Sequence, residues 1–142
     1  MTNSQRSGTV PCPPINVLWV LVLPLVTCGI YTGIWHLKRA KELNALPEGE
    51  QVGLLPIYYL IVSAVVTLPT TFITVPKYVE HLLVIETFVY VLVMVWVAFG
   101  IRRKLQALGA ETSVGFTFLF NLAHLQWVIN RHHYRSAIAE AA

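Results

Sequence analysis

Charged side chains are scarce in this sequence. Only 12% of its 142 residues are Asp, Glu, Lys or Arg, whereas 56% are hydrophobic. A soluble globule of this size needs more polar side chains to cover its surface. The scarcity argues against a soluble domain and predicts a protein of the lipid bilayer.

Residues that carry chemistry in known patterns are also scarce. The two cysteines, Cys12 and Cys28, match no metal spacing, and we expect them at different membrane depths, too far apart to pair. The sequence lacks a nucleophile with a nearby base, a phosphate loop and a pair of carboxylates. Its basic residues follow apolar runs without the interleaved aromatics of a nucleic-acid surface. We therefore expect no enzyme, no cofactor, no metal site and no nucleic-acid partner.

Long apolar runs fill most of the chain instead. A bilayer core about 30 Å thick takes roughly 20 helical residues. Three windows meet this length, and a fourth is shorter: Ile15 to His36, Leu54 to Val75, Leu82 to Ile101, and Val114 to Ile129. The runs are continuous rather than alternating, which indicates helices. The sequence predicts an all-α polytopic membrane protein with three transmembrane helices, a shorter fourth that crosses, and a basic interfacial helix after the first.

The links between these windows are too short for a separate soluble domain. We predict one membrane domain over residues 15–131, with a flexible N-terminal tail at 1–14 and a C-terminal tail at 132–142.

Basic residues cluster in the loops 37–53 and 102–113, at Lys38, Arg39, Lys41, Arg102, Arg103 and Lys104. The positive-inside rule makes these loops cytoplasmic and the N-terminus extracytoplasmic, in a multi-pass protein of the cytoplasmic membrane. The six side chains form a belt that we expect to face anionic lipid headgroups. A fourth segment that folds back would improve the charge asymmetry, but its apolar run favours crossing, and we expect crossing.

A distinctive motif ends the first window, at Thr27, Gly29, Tyr31, Gly33 and Trp35. Gly29 allows a positive φ, and the Thr27 hydroxyl can cap the following turn. Tyr31 and Trp35 suit the headgroup layer. The motif predicts that the first span turns at Gly29 into the basic helix. An alternative is that Gly29-x-x-x-Gly33 forms a face for pairing helices, including those of two copies.

This motif resembles the Thr-x-Gly-Ile-Tyr-x-x-x-Trp pattern of a family of small bacterial membrane proteins, domain of unknown function 4234. Near the other end, Gln126 followed by Asn130-Arg131 is similar to the closing segment of that family. The resemblance implies a bacterial membrane protein and its architecture. It implies no activity.

Polar residues inside the apolar windows are candidates for function, because burying them in lipid is costly. Glu86 lies in the third window, where we expect Asn16, Thr70 and Thr71 to reach it. The fourth window carries polar residues on two helical faces, at Asn121, His124, Gln126 and Asn130. These side chains either form hydrogen bonds between helices or line a polar path.

Two functions remain open on this basis. The first is a structural or accessory scaffold that packs with itself or with another membrane protein and contacts anionic lipids. The alternative is a subunit of an oligomeric transporter or channel that uses Glu86, Asn121 and His124 as its polar path.

Overall fold

The structure is a computed structural model that describes residues 13–27 and 29–141, except the side chains of Leu119 and of residues 134–141. All regular structure in these residues is helical, as predicted. The elements are α1 (Val17–Val26), α2 (Ile30–Asn44), α3 (Leu55–Thr67), a 3₁₀ turn (Leu68–Thr71), α4 (Lys77–Ala107) and α5 (Val114–Ala141). Cys12, Cys28 and most of the expected N-terminal tail lie outside the described residues. The tail expected from residue 132 begins within α5.

Helix α4 is the one helix of the described residues that is long and apolar enough to cross a bilayer. It has 31 residues and contains the third predicted window. Only 11% of its apolar window is buried, unlike the core helix of a soluble protein. Its exposed side chains include Leu82, Val84, Ile85, Phe88, Leu92 and Trp96. This exposure favours association with a membrane.

The other three windows do not form helices of that length. The second corresponds to the shorter apolar stretch Leu55–Thr71. The first is divided into α1, with 10 residues, and α2, with 15. The fourth is interrupted at Asn121, whose φ of 22° and ψ of −98° are not helical.

Helices α1 and α2 form a hairpin rather than one continuous span. The chain breaks between them at Gly29, which has a φ of 89°. Beyond the break it returns, and the Arg39 guanidinium lies 3.0 Å from the carbonyl oxygen of Pro13. A straight helix over these 26 positions would hold the two residues about 39 Å apart. Both ends of the hairpin therefore lie at the same end of the molecule.

Helix α5 also folds back, at Asn121. Its two parts, residues 114–120 and 122–141, meet at the kink. The Ser113 amide lies 3.4 Å from Nε2 of His124, and Ala110 lines a small cavity together with Val128. A straight helix would separate each pair by more than 15 Å. The structure thus folds the fourth window back on itself at Asn121, instead of forming the single continuous helix that we expect from the apolar run.

Helices α2 and α3 both pack along α4. Helix α3 runs antiparallel to α4 and contacts it near Glu86. Gly29 at the start of α2 lies beside Tyr90, and Leu46 after its end lies beside Lys104. Helix α2 therefore covers the C-terminal half of α4, where the core is concentrated. Core residues at this end include Trp35, Leu43, Ile57, Ile101, Leu105, Leu125 and Ile129.

Candidate functional sites

Arg39 is the centre of a buried polar cluster. Its side chain is fully buried, and Nη1 donates to the Glu42 carboxylate at 2.6 Å. Nη2 donates to the carbonyl oxygen of Pro13 at 3.0 Å and to Oε1 of Gln126 at 3.1 Å. A buried guanidinium is tolerated when such partners compensate for lost hydration. The cluster therefore joins α2 to the chain before α1 and to α5.

Gln126 links the other members of this cluster. Its Oε1 also accepts a hydrogen bond from Nε1 of Trp35 at 3.1 Å, and its Nε2 donates to Oδ1 of Asn130 at 2.7 Å. The Asn130 amide in turn pairs with the backbone N–H and carbonyl of Ile15, at 3.2 and 2.8 Å. Gln126 and Asn130 thus make hydrogen bonds between segments far apart in the sequence. We call Arg39, Glu42, Trp35, Gln126 and Asn130 the arginine cluster.

Two residues of the expected basic belt are not at the surface. Arg39 belongs to the arginine cluster, and Lys104 is 1% exposed. The Lys104 ammonium donates to the carbonyl oxygens of Leu46 at 2.8 Å and Gly49 at 3.4 Å. Lys104 therefore holds the loop after α2. Arg39 and Lys104 are not available to lipid headgroups and do not belong to the expected belt. Lys38, Lys41 and Arg103 remain exposed, and Arg102 is half-buried.

The Thr27 hydroxyl connects the end of α1 to the start of α2. It donates to the carbonyl oxygen of Leu23 at 2.7 Å and accepts from the N–H of Tyr31 at 3.0 Å. With Gly29 it forms the turn of the hairpin. Trp35 is only 3% exposed, so it lies in the core rather than in a headgroup layer. Of the motif residues, Thr27 and Gly29 therefore form the turn, and Trp35 belongs to the arginine cluster.

Gly33 permits the close approach of α2 and α3. A Cβ atom at this position would lie 2.5 Å from Cγ1 of Ile61 and 3.2 Å from its backbone nitrogen. Only a residue without a side chain fits there. The small-residue face at Gly33 is thus used inside the chain, against α3, and is not free for pairing two copies.

Glu86 makes a different set of contacts from the expected one. Its Oε1 accepts from the Tyr59 hydroxyl at 2.7 Å and from the Ser63 hydroxyl at 2.5 Å. Asn16 instead caps α1 by accepting from the N–H of Leu18 at 2.9 Å. Thr70 donates to its own turn, at the carbonyl oxygen of Thr67. The expected partners of Glu86 were therefore wrong.

A pocket of about 130 Å³ opens beside Glu86, at the level of the Gly29 turn. Its lining residues are Gly29, Ser63, Ala64, Thr67, Glu86, Thr87 and Tyr90. Ser63, Tyr59 and Tyr90 were not among the residues predicted from the sequence. A signal for the first two was present, because Tyr59 and Ser63 are four residues apart and share one face of α3. We call this cavity the Glu86 pocket.

Asn121 and His36 face each other in the core. His36 is fully buried, and its Nδ1 lies 2.8 Å from the carbonyl oxygen of Thr32. The Asn121 amide is near the His36 ring, yet neither of its polar atoms nor His36 Nε2 makes a hydrogen bond with good geometry. The kink at Asn121 thus lies beside a buried imidazole.

His124 lies in an aromatic stack at the surface of α5. Its ring centroid is 5.7 Å from that of Phe116 and 6.0 Å from that of Trp127. Glu86, Asn121 and His124 therefore lie beside different neighbours. Among the described side chains, no hydrogen bond or ring contact joins these three into one path.

The fold and these clusters define an all-α protein with one membrane-length helix, against which the other helices pack mainly on its C-terminal half. A family model, domain of unknown function (DUF4234), matches residues 15–107. Since the match covers more than half of the chain, the protein belongs to the DUF4234 family. Comparisons with curated proteins and with solved structures give no significant match. Gln126 and Asn130 lie beyond the matched residues, although they bond to Ile15, Trp35 and Arg39 within them.

Proposed function

We propose that the chain is a multi-pass structural protein of the bacterial cytoplasmic membrane. In this proposal α3 and α4 cross the bilayer as a hairpin, while the α1–α2 hairpin and α5 enter from one side only. The supporting observation is the position of Pro13 beside Arg39, because it returns the N-terminal hairpin to its side of entry. The α3 helix and its 3₁₀ turn, of 13 and 4 residues, extend roughly 25 Å, which approaches the bilayer core thickness.

Exposed apolar side chains support a lipid environment for both half-inserted elements. On α1 they include Leu18, Trp19, Leu21, Leu25 and Val26, and before the α5 kink Val114, Phe116, Phe118 and Phe120. Apolar surface of this extent on a monomer indicates contact with lipid or with a partner. The open end of the α1–α2 hairpin lies at Pro13 and Arg39, and its apolar tip lies at Gly29, beside Tyr90. Because Tyr90 is near the middle of α4, this tip would reach the middle of the bilayer.

The exposed cations support contact with anionic lipid headgroups. Lys38, Lys41 and Arg103 lie near the end of the molecule where α2 and α4 finish. Basic side chains at a bilayer surface attract anionic headgroups by about 1 kcal/mol each. By the positive-inside rule we assign this end to the cytoplasmic side. Because Pro13 lies at the same end, the proposal replaces the extracytoplasmic N-terminus expected from the sequence with a cytoplasmic one.

The proposed role is a non-catalytic scaffold that occupies more area in one leaflet than in the other. Over the C-terminal half of α4, helices α2 and α5 and the start of α1 join α3 and α4, whereas the N-terminal half of α4 has α3 as its main neighbour. Such an asymmetric shape displaces lipid in one leaflet, and its apolar faces suit a second copy or another membrane protein. Native mass spectrometry in lipid nanodiscs measures the copy number.

Cysteine labelling in intact cells tests the proposed topology. Single cysteines at Pro14→Cys, Glu48→Cys and Thr74→Cys are placed in a C12S/C28S background and treated with a membrane-impermeant maleimide. We expect positions 14 and 48 to react alike and position 74 to react oppositely. If position 14 instead reacts like position 74 and opposite to 48, the α1–α2 segment crosses and the proposal is wrong. Labelling after permeabilisation is the control, because all three positions should then react.

A further inference from the structure

The Glu86 pocket combines one carboxylate with hydroxyl groups, at the level of the Gly29 turn between α1 and α2. Its wall consists of parts of α3 and α4 and the Gly29 turn. Glu86 and Tyr90 lie in the apolar part of α4, where α4 would be surrounded by lipid. A carboxylate at this depth is costly unless it has a partner. Groups in the pocket must therefore compensate for the cost of placing the Glu86 carboxylate in lipid.

The hydroxyl protons at this pocket are already used within the protein. Tyr59 and Ser63 both donate to Oε1 of Glu86. Thr67 donates to the carbonyl oxygen of Ser63 at 2.9 Å, Thr87 to that of Leu83 at 2.8 Å, and Tyr90 to that of Gly29 at 3.3 Å. A hydroxyl group has one proton and two lone pairs. These groups can therefore offer only lone pairs to a ligand.

The backbone adds no donor either. The N–H of Gly29 donates to the carbonyl oxygen of Pro24 at 2.9 Å. Both hydrogen bonds that the described residues make to Glu86 end on Oε1, which leaves Oε2 for the pocket. The lining contains no Lys, Arg or His. The Glu86 pocket thus offers one carboxylate and several hydroxyl oxygens within a lining that is otherwise apolar.

Such a lining selects the chemistry of its ligand. Carboxylate and hydroxyl oxygens are ligands of hard cations. Tight sites for divalent ions need more charge, and the described residues contain no group of three His, Cys, Asp or Glu that could hold a metal. A single carboxylate balances a single positive charge. We propose that the Glu86 pocket binds a monovalent metal cation, either Na⁺ or K⁺, through Oε2 of Glu86 and the hydroxyl oxygens of Ser63, Thr67 and Thr87.

This proposal does not depend on the scaffold role or on the orientation in the membrane. The test uses the purified full-length protein in lipid nanodiscs, with NaCl and KCl titrated against N-methyl-D-glucamine chloride at constant ionic strength. We expect the unfolding temperature to rise saturably with Na⁺ or with K⁺, because a ligand that binds only the folded state stabilises it. An unfolding temperature that is the same in all three salts overturns the proposal.

Two variants locate the effect in the pocket. Glu86→Gln keeps the shape of the side chain and removes its charge, so the saturable rise should disappear. Thr87→Val removes one oxygen that bonds only to its own helix, and cation affinity should fall about tenfold, the size expected for losing a contact to a charge. Thr70→Val makes the same change outside the pocket and should bind like the original protein.

The titration also has outcomes that contradict the proposal. An unfolding temperature that depends on pH but on neither metal cation overturns it. A rise that persists in Glu86→Gln is equally contradictory, because binding would then be elsewhere. If Glu86→Gln does not fold, the comparison of Thr87→Val with Thr70→Val decides, and equal affinities overturn the proposal.

Discussion

Arg39 shows how burial changes the role of a single side chain. Its position after an apolar window is typical of a lipid-facing cation. In the structure it is fully buried, because Glu42, Gln126 and the Pro13 carbonyl supply the hydrogen bonds that water would otherwise provide. Lys38 and Lys41 are neighbours of Arg39 in sequence but stay exposed. Sequence identifies the charge, whereas the helix neighbours decide its environment.

At the residue scale, we predict that Gln126→Leu destabilises the protein strongly. The substitution leaves the Trp35 N–H without an acceptor and removes one acceptor from Arg39. At about 1–3 kcal/mol for each unsatisfied buried group, the free energy of unfolding should fall by about 2–4 kcal/mol. Equilibrium unfolding in detergent micelles measures it. Gln106→Leu is the matched control, since Gln106 is exposed on α4. Similar stabilities for the two variants would contradict a structural role for the cluster.

The Gly29 turn determines the course of the N-terminal elements. The apolar run on both sides of it is long enough for one span, and hydropathy alone cannot distinguish a span from two short helices that fold back. The turn needs a positive φ at Gly29 and a Thr27 hydroxyl that bonds to both helices. The motif therefore predicts a turn at the right residue. Its angle follows from the contacts of α1 with α5 and of α2 with α3 and α4, which are long-range.

At the element scale, we predict that Gly29→Val unfolds at a lower temperature than Gly29→Asn. A β-branched side chain is strained at a φ of 89°, by about 1–2 kcal/mol or more, whereas Asn adopts this conformation more readily. Both variants place a Cβ atom 3.2 Å from the Tyr90 hydroxyl, so their difference isolates the backbone effect. Thermal unfolding followed by circular dichroism measures it. Equal unfolding temperatures would show that the positive φ is not required.

The whole molecule has its helices concentrated at one end. The Lys104 contacts hold the loop after α2 against the C-terminal half of α4, and the arginine cluster joins α2 to α5 and to the chain before α1. The exposed cations lie at the same end, together with exposed Glu48 and Glu50 in the loop after α2. This end of the molecule therefore carries exposed charges of both signs.

At the scale of the molecule, we predict opposite effects of two charge changes on lipid selectivity. Neutralising Lys38 and Lys41 together to Gln should weaken the preference for anionic over zwitterionic lipid, by about fivefold per charge. The matched variant Glu48→Gln/Glu50→Gln should strengthen it. Quenching of tryptophan fluorescence by brominated lipids in mixed vesicles measures the preference. No change in either variant would contradict headgroup contact at this end.

The sequence by itself determined the helical class, the family, the apolar character of α4 and the location of the Gly29 turn. These four properties depend on composition and on local backbone preference, and neither requires contacts between distant residues. Only the tertiary structure decided that Arg39 and Lys104 are buried, that Glu86 bonds to Tyr59 and Ser63, and that the first and fourth windows fold back. Each of these depends on contacts between residues distant in the chain. Hydropathy does not encode such contacts, because it adds up side chains without specifying their neighbours.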